Sequence, residues 1–175
     1  MTKAELPQRK STRLVNFDYS SGGAYFITIC THNRANILST IADEIPTTTV
    51  GEGFPLPQLT TRGNIVEKYI KDLPNRYHQI SVEEYVIMPN HIHLLLLVSN
   101  EDGRGDPSPT IVSAMGWLKY QSTREINKEH NTIGAKIFQR SFYDHIVRDL
   151  NDYCEIQKYI VENPLRWKFD KLYVE

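Results

Sequence analysis

Residues 91 to 98, HIHLLLLV, constrain the fold of this chain more than any other stretch. From Leu94 onward both alternating faces of the run are apolar, so a strand built from it needs cover on both sides. That is the signature of a central strand in a sheet, not of an edge. The residues before it, ISVEEYVIMPN, read as a neighbouring strand closed by Pro89-Asn90.

The rest of the chain supplies partners and cover. A Gly22-Gly23 turn opens a β-rich run from Ala24 to about Thr31. Residues 63–77 put Ile65, Val66, Tyr69, Ile70 and Leu73 at helical spacing, with Pro74 marking the end. A second helix over 110–129 carries a stripe of Ile111, Met115, Leu118 and Ile126. KIFQRSFYDHIVRD reads as a last strand, and NDYCEIQKYIVENPLRW as a last helix started near Asn151 and ended by Pro164. The first six elements run βαββαβ. This predicts an α+β, ferredoxin-like or RNA-recognition-type sandwich with a central antiparallel sheet and an added C-terminal helix. A chain of 175 residues, 40% hydrophobic, suits a single domain over 1–175. Within it, residues 1–20 form a basic tail, 41–61 an insertion read as an irregular hairpin, and 99–110 a flexible loop.

Charge and cysteines narrow the function classes. The net charge of −1 argues against nucleic-acid binding by bulk positive charge, but the charge is segregated. Lys3, Arg9, Lys10 and Arg13 make the N-terminus basic, and Lys158, Arg166, Lys168 and Lys171 do the same near the C-terminus. No apolar stretch approaches membrane-spanning length, so no membrane partner is expected. The N-terminus lacks the apolar core of a signal peptide, and two cysteines without CxxC spacing fit a reduced, cytoplasmic protein.

The central strand carries two titratable groups where leucine would serve. In a strand, residues two apart share a face, so His91 and His93 project side by side while Ile92, Leu94 and Leu96 point the other way. Two neutral imidazoles on a rigid strand make half of a divalent-metal site. Two partly buried histidines hydrogen-bonded to backbone would leave the same pattern. A histidine-triad nucleotide hydrolase is excluded, because Leu95 stands where the third histidine belongs. The last helix offers what the pair lacks. Tyr159 and Asn163 lie one turn apart on one face, as a nucleophile and an amide ligand in metal-assisted phosphoryl transfer would. Tyr153 and Gln157 form the same pair one register earlier, and spacing does not choose between them.

HIH is the His-hydrophobic-His signature of the HUH single-strand DNA endonucleases. Together with GAYFITICTHNR, YVIMPNHIHLLLLV, FQRSFYDHIVRD and YIVENPLRW in this order, it resembles the single-tyrosine transposases, specifically the REP-associated tyrosine transposases. The resemblance runs from about Arg9 to Trp167. It implies Tyr159 as nucleophile, four residues before Asn163-Pro164, and His91, His93 and Asn163 as holders of one Mg²⁺ or Mn²⁺. It further implies cleavage of single-stranded DNA near hairpins of repeated palindromes, through a 5′-phosphotyrosine and a free 3′-hydroxyl. Arg9, Lys10 and Arg13 would contact the foot of the hairpin, and Arg140, Arg148, Arg166 and Lys168 its phosphates. His145 sits in a family-like motif, with a supporting role beside the site, a DNA contact and a structural hydrogen bond all open. No protein partner is evident, and both a monomer and a homodimer fit. Two other readings compete: a catalytically idle RNA-recognition-like binding module, and a metal-dependent phosphodiesterase that uses water.

Overall fold

A computed structural model describes residues 22–41, 57–99 and 111–174. The tail residues Arg9, Lys10 and Arg13, most of the 41–61 insertion and all but the first residue of the 99–110 loop lie outside the described residues.

The elements follow the expected order. Strand β1 spans Gly23–Cys30, and two short strands, β2 (Ser39–Thr40) and β3 (Gln58–Leu59), pair antiparallel at the flanks of the insertion. Helices α1 (Thr61–Lys71) and α2 (Leu73–Arg76) precede strands β4 (Ile80–Ile87) and β5 (His91–Val98). Helix α3 (Ile111–Glu129), strand β6 (Tyr143–Ile146) and helix α4 (Leu150–Glu162) follow. A 3₁₀ segment over Asn163–Phe169 continues from α4. The main sheet has the order β4-β5-β1-β6 with every neighbouring pair antiparallel. The α1 connection therefore steps over β5 and the α3 connection over β1, which is the split crossover of the ferredoxin-like sandwich. Among the described residues no helix is long and apolar enough to cross a membrane.

The two-faced run of β5 has the cover it needs. Ile92, Leu94 and Leu96, with Tyr25, Ile27 and Ile29 of β1, form one core with Ile65 and Ile70 of α1 and Met115, Leu118 and Ile126 of α3. Leu95 points the other way and packs with Val86, Met88, Ile156, Ile160 and Trp167. Helix α4 thus closes the face that carries the histidines. Its own start is determined locally: the Asp149 side chain accepts from the Asp152 amide at 2.9 Å, satisfying a donor that the first turn cannot.

Three elements differ from the sequence reading. Pro74 does not stop a helix from 63 to 77; it sits in the first turn of α2, where its missing N–H removes no helical bond, and the break falls at Asp72. The expected last strand contracts to β6. Its earlier part instead continues beyond β1, with His32 N–H on the Ile137 carbonyl at 2.7 Å and Gln139 N–H on that of Cys30 at 2.9 Å. The Lys119 ammonium then takes up the carbonyls of Gln139 and Arg140, at 2.6 and 2.8 Å. Pro164 does not release the chain either, because the backbone tightens into 3₁₀ geometry and carries on to Phe169.

Ile160 is fully buried between α4 and the sheet. Ile160→Ala should lower unfolding stability in urea by about 2–5 kcal/mol through the cavity it leaves. Val161→Ala, on the outer side of α4, should change it by less than about 1 kcal/mol.

Candidate active site and metal-binding cluster

The register of the sheet builds the floor of the site. Thr28 pairs with His93 and Cys30 with His91, so the side chains of Phe26, Thr28 and Cys30 share the histidine face. The Phe26 ring stacks on His93 with centroids 5.1 Å apart, and the two imidazole centroids are 4.5 Å apart. Tyr25 lies in the opposite core. Phe26 is thus the aromatic that reaches the site; it stacks on His93 and lines the cleft beside Tyr159.

Each imidazole is oriented through Nδ1. The Asn90 amide is set by its Nδ2–H donating to the Leu172 carbonyl at 2.8 Å, so its Oδ1 accepts from His91 Nδ1–H at 2.8 Å. The lone pair of His91 is therefore at Nε2, which is buried and has no hydrogen-bond partner. Thr28 Oγ1 lies 2.9 Å from His93 Nδ1, and His93 Nε2 faces the Tyr159 hydroxyl at 3.4 Å. Burial pushes His91 down to about 4, with Asp170 opposing and Arg34 assisting. It pushes His93 well below its ordinary value, with His91 adding to the effect. Both rings are neutral at physiological pH, as metal-ligating imidazoles must be.

Helix α4 brings Tyr159 over this floor and directs Tyr153 away from it. Tyr159 meets His93 with ring centroids 5.2 Å apart and Phe26 at 6.0 Å. Burial and then Glu83 raise the Tyr153 phenol above its ordinary value, while Gln157 is exposed. Of the two pairs that spacing left open, Tyr159 meets His93, and Tyr159 and Asn163 both bond to Asp170 beside the histidines. Burial, followed by Asp170, pushes the Tyr159 phenol up to about 12. Asn163 is buried; its Nδ2–H donates to Asp170 Oδ2 at 2.8 Å, and its Oδ1 has no partner.

Asp170 is the residue that sequence reading missed. One ligand atom from each of His91, His93 and Asp170 lie within 4.8 Å of one another. The carboxylate also accepts from the Tyr159 hydroxyl at 3.4 Å and from the Leu172 amide at 2.6 Å. Nothing in KFDKLY marks this aspartate, because it follows a proline that read as the end of structure. The two neutral imidazoles and the carboxylate within one cluster, with the orphaned His91 Nε2 among them, form a donor set that fits a divalent cation.

Two clefts meet at Tyr159, and both have Asp170 and Lys171 in their walls. One, of about 510 Å³, extends past Phe26, His93, Gln139 and Phe142. The other, of about 460 Å³, runs past Asn163, Arg166 and the exposed Phe169. Arg166 is exposed and pairs with Glu162 at 2.9 Å. Arg140, Arg148 and Lys168 are exposed, outside the ligand cluster. His145 is not in the cluster: its Nε2 lies 2.8 Å from Asp152 Oδ2 and so ties β6 to the first turn of α4.

A ferredoxin-like sheet whose central strand presents paired imidazoles to a tyrosine on a separate helix defines the class of this protein. Residues 20–163 match the family described as IS200-like transposase, and the chain belongs to that family. It is 31% identical over 187 aligned positions to a Haemophilus influenzae protein of unassigned function, across 98% of this chain and 97% of the relative. A second protein of that organism, provisionally named a REP-associated tyrosine transposase, is 26% identical over 85% of this chain and 74% of its own. The structure of a REP-associated tyrosine transposase bound to a REP hairpin superposes with a TM-score of 0.61 at 20% identity. It covers 91% of this chain and 76% of that one, a likeness of fold.

The buried imidazoles set the acid response of the metal-free protein. Unfolded histidines take up protons near pH 6.5, whereas folded His91 does so only near 4, so the unfolded state binds more protons between those values. Stability in the presence of a chelator should therefore fall as pH drops from 6.5 toward 4, by roughly 3 kcal/mol from His91 alone. Urea titrations across that range should show the fall, and His91→Gln should remove the His91 share while leaving that of His93.

Proposed function

We propose that this transposase is a site-specific, metal-dependent endonuclease and strand transferase for single-stranded DNA, acting near hairpins of repeated palindromes through a 5′-phosphotyrosine. The observation that carries the reading is the Tyr159 hydroxyl 3.4 Å from His93 Nε2, beside a buried His91 Nε2 without a partner. Membership of a transposase family and the likeness of fold to a hairpin-bound relative support the choice of substrate.

The chemistry follows from what each side chain does. Tyr159 Oη forms the bond to phosphorus, and the bond from phosphorus to the 3′ oxygen breaks. The fragment downstream of the cut stays on Tyr159 through its 5′ phosphate, and the upstream fragment leaves with a 3′-hydroxyl. A phenolic proton is lost and the departing 3′ oxygen gains one, so the step balances. Attack of a 3′-hydroxyl on the phosphotyrosine reverses the reaction and rejoins strands, with the phosphodiester energy conserved and no ATP needed. With its phenol near 12, Tyr159 is ionised in roughly one molecule in 10⁵ at neutral pH, so unaided attack is slow. His91, His93 and Asn163 would hold Mg²⁺ or Mn²⁺, which when bound would supply positive charge favouring the phenolate and offsetting charge on the phosphate. Thr28 and Asn90 keep both Nε2 atoms aimed at that place through their bonds to Nδ1. His145 acts on Tyr159 indirectly, by holding the start of α4 through Asp152.

Single-stranded DNA would enter through one cleft and leave through the other, passing Tyr159. Lys171, in the walls of both clefts, and Arg166 are the cations best placed for its phosphates. Arg34, close enough to lower the His91 pKa, is another. Arg9, Lys10, Arg13, Arg140, Arg148 and Lys168 would extend the contact over the hairpin.

A covalent-adduct assay tests the reading. Single strands carrying the palindromes that flank the gene, labelled on the 3′ side, are incubated with protein and Mn²⁺ or Mg²⁺. The label should move to protein size on a denaturing gel, require metal, and disappear in Tyr159→Phe and His91→Ala. Metal-dependent cleavage that survives Tyr159→Phe and leaves no adduct would point to a hydrolase using water. Binding without cleavage under every metal would favour the idle binding module. Lys171→Ala should weaken binding to all single strands alike and reduce the salt slope by about 0.7.

A further inference from the structure

We propose that Asp170 is a ligand of the active-site cation, so that the segment after Pro164 is part of the catalytic centre. The inference rests on the metal-dependent reading above and adds a residue to it.

Geometry and charge both point to Asp170. Its carboxylate shares a 4.8 Å cluster with one nitrogen from each histidine. Two ligands on opposite sides of one small cation stand about 4–4.5 Å apart, so small side-chain adjustments suffice for all three to bind one ion. Two imidazoles and an amide are neutral, and a divalent cation enclosed by them would keep its full charge in a partly desolvated place. Among the described residues Asp170 is the one carboxylate in the cluster. It also provides the hard, anionic oxygen that Mg²⁺ and Mn²⁺ favour over imidazole.

The segment is built to present that oxygen. The Asp170 amide bonds back to the Trp167 carbonyl at 3.0 Å and the Tyr173 amide to the Asp170 carbonyl at 3.0 Å, which makes a tight turn. Oδ1 is taken by the Leu172 amide, leaving Oδ2 toward Asn163 and Tyr159. The Leu172 carbonyl accepts from Asn90, the same residue whose Oδ1 orients His91. Trp167 packs between the His91 and Tyr173 rings, at 5.9 and 5.0 Å. One amide side chain therefore positions both an imidazole ligand and the turn that carries the carboxylate. The family match ends at residue 163, seven positions before this aspartate.

The test is Mn²⁺ binding to the full chain without DNA, read by loss of the free-ion paramagnetic resonance signal and by calorimetry. Wild type, Asp170→Asn and His91→Ala are compared after metal-free thermal melts establish that each is folded. Asp170→Asn should weaken binding at least about tenfold, and His91→Ala at least as much. Should Asp170→Asn not fold, Asp170→Ser, which keeps an oxygen for the Leu172 amide, is held to the same expectation. Unchanged binding in the Asp170 variant with loss in His91→Ala would overturn the ligand role and leave the two-histidine centre standing. Tighter binding would also overturn it, because Asp170 would then compete for the site. A folded wild type that takes up no Mn²⁺ would sink the metal-dependent reading itself.

Discussion

Two unprotonated imidazoles sunk side by side into the middle of a sheet are the constraint around which this molecule is arranged. Burial disfavours their charged forms, so they stay neutral with lone pairs available. Neutral buried nitrogens still need partners, and the structure provides them on one side only. Thr28 and Asn90 engage Nδ1 of each ring, while Nε2 of His91 has none and that of His93 has only a long contact to Tyr159. Desolvation and incomplete hydrogen bonding both work against stability here. A cation binding at this place would relieve both, which is why a site of this kind couples metal affinity to folding.

The two faces of β5 divide the work. One face is hydrocarbon against α1 and α3, and it supplies the rigidity that holds the backbone of the histidine strand. The other begins with imidazoles and ends with Leu95, against which α4 docks. Ile156 and Ile160 hold that helix by burial alone. Tyr159, on its more exposed side, is consequently positioned by packing one residue away and is still open to a strand of DNA. His145 and Asp152 tie the start of the same helix to the far edge of the sheet. The proposed nucleophile and the histidines thus sit on separate elements, each anchored by its own apolar contacts.

Much of this was legible in the order of residues. The unbroken apolar run of β5 implied a covered central strand, and its period of two placed both histidines on one face. The helical stripes of α1, α3 and α4 gave the βαββαβ order because amphipathic spacing is a local property. Local signals failed where backbone groups found distant partners. Lys119 drew off the carbonyls of Gln139 and Arg140, which shortened the last strand, and Pro164 began a tighter helix rather than ending structure. The pairing of Asn90 with Leu172 spans 82 residues and left no trace in spacing.

By itself, then, the sequence determined the fold class and the candidate site residues, because periodicity and residue type act over a few positions. His91, His93, Tyr159 and Asn163 could all be named from it, with the family resemblance choosing between two tyrosines. Only the tertiary structure showed Tyr159 facing His93 with Tyr153 turned toward β4, since that depends on the azimuth at which α4 docks. It alone brought Asp170 to the histidines, because a carboxylate at the end of an irregular segment has no periodicity to betray where it points. Its place is decided by hydrogen bonds and ring packing to residues far away in the chain.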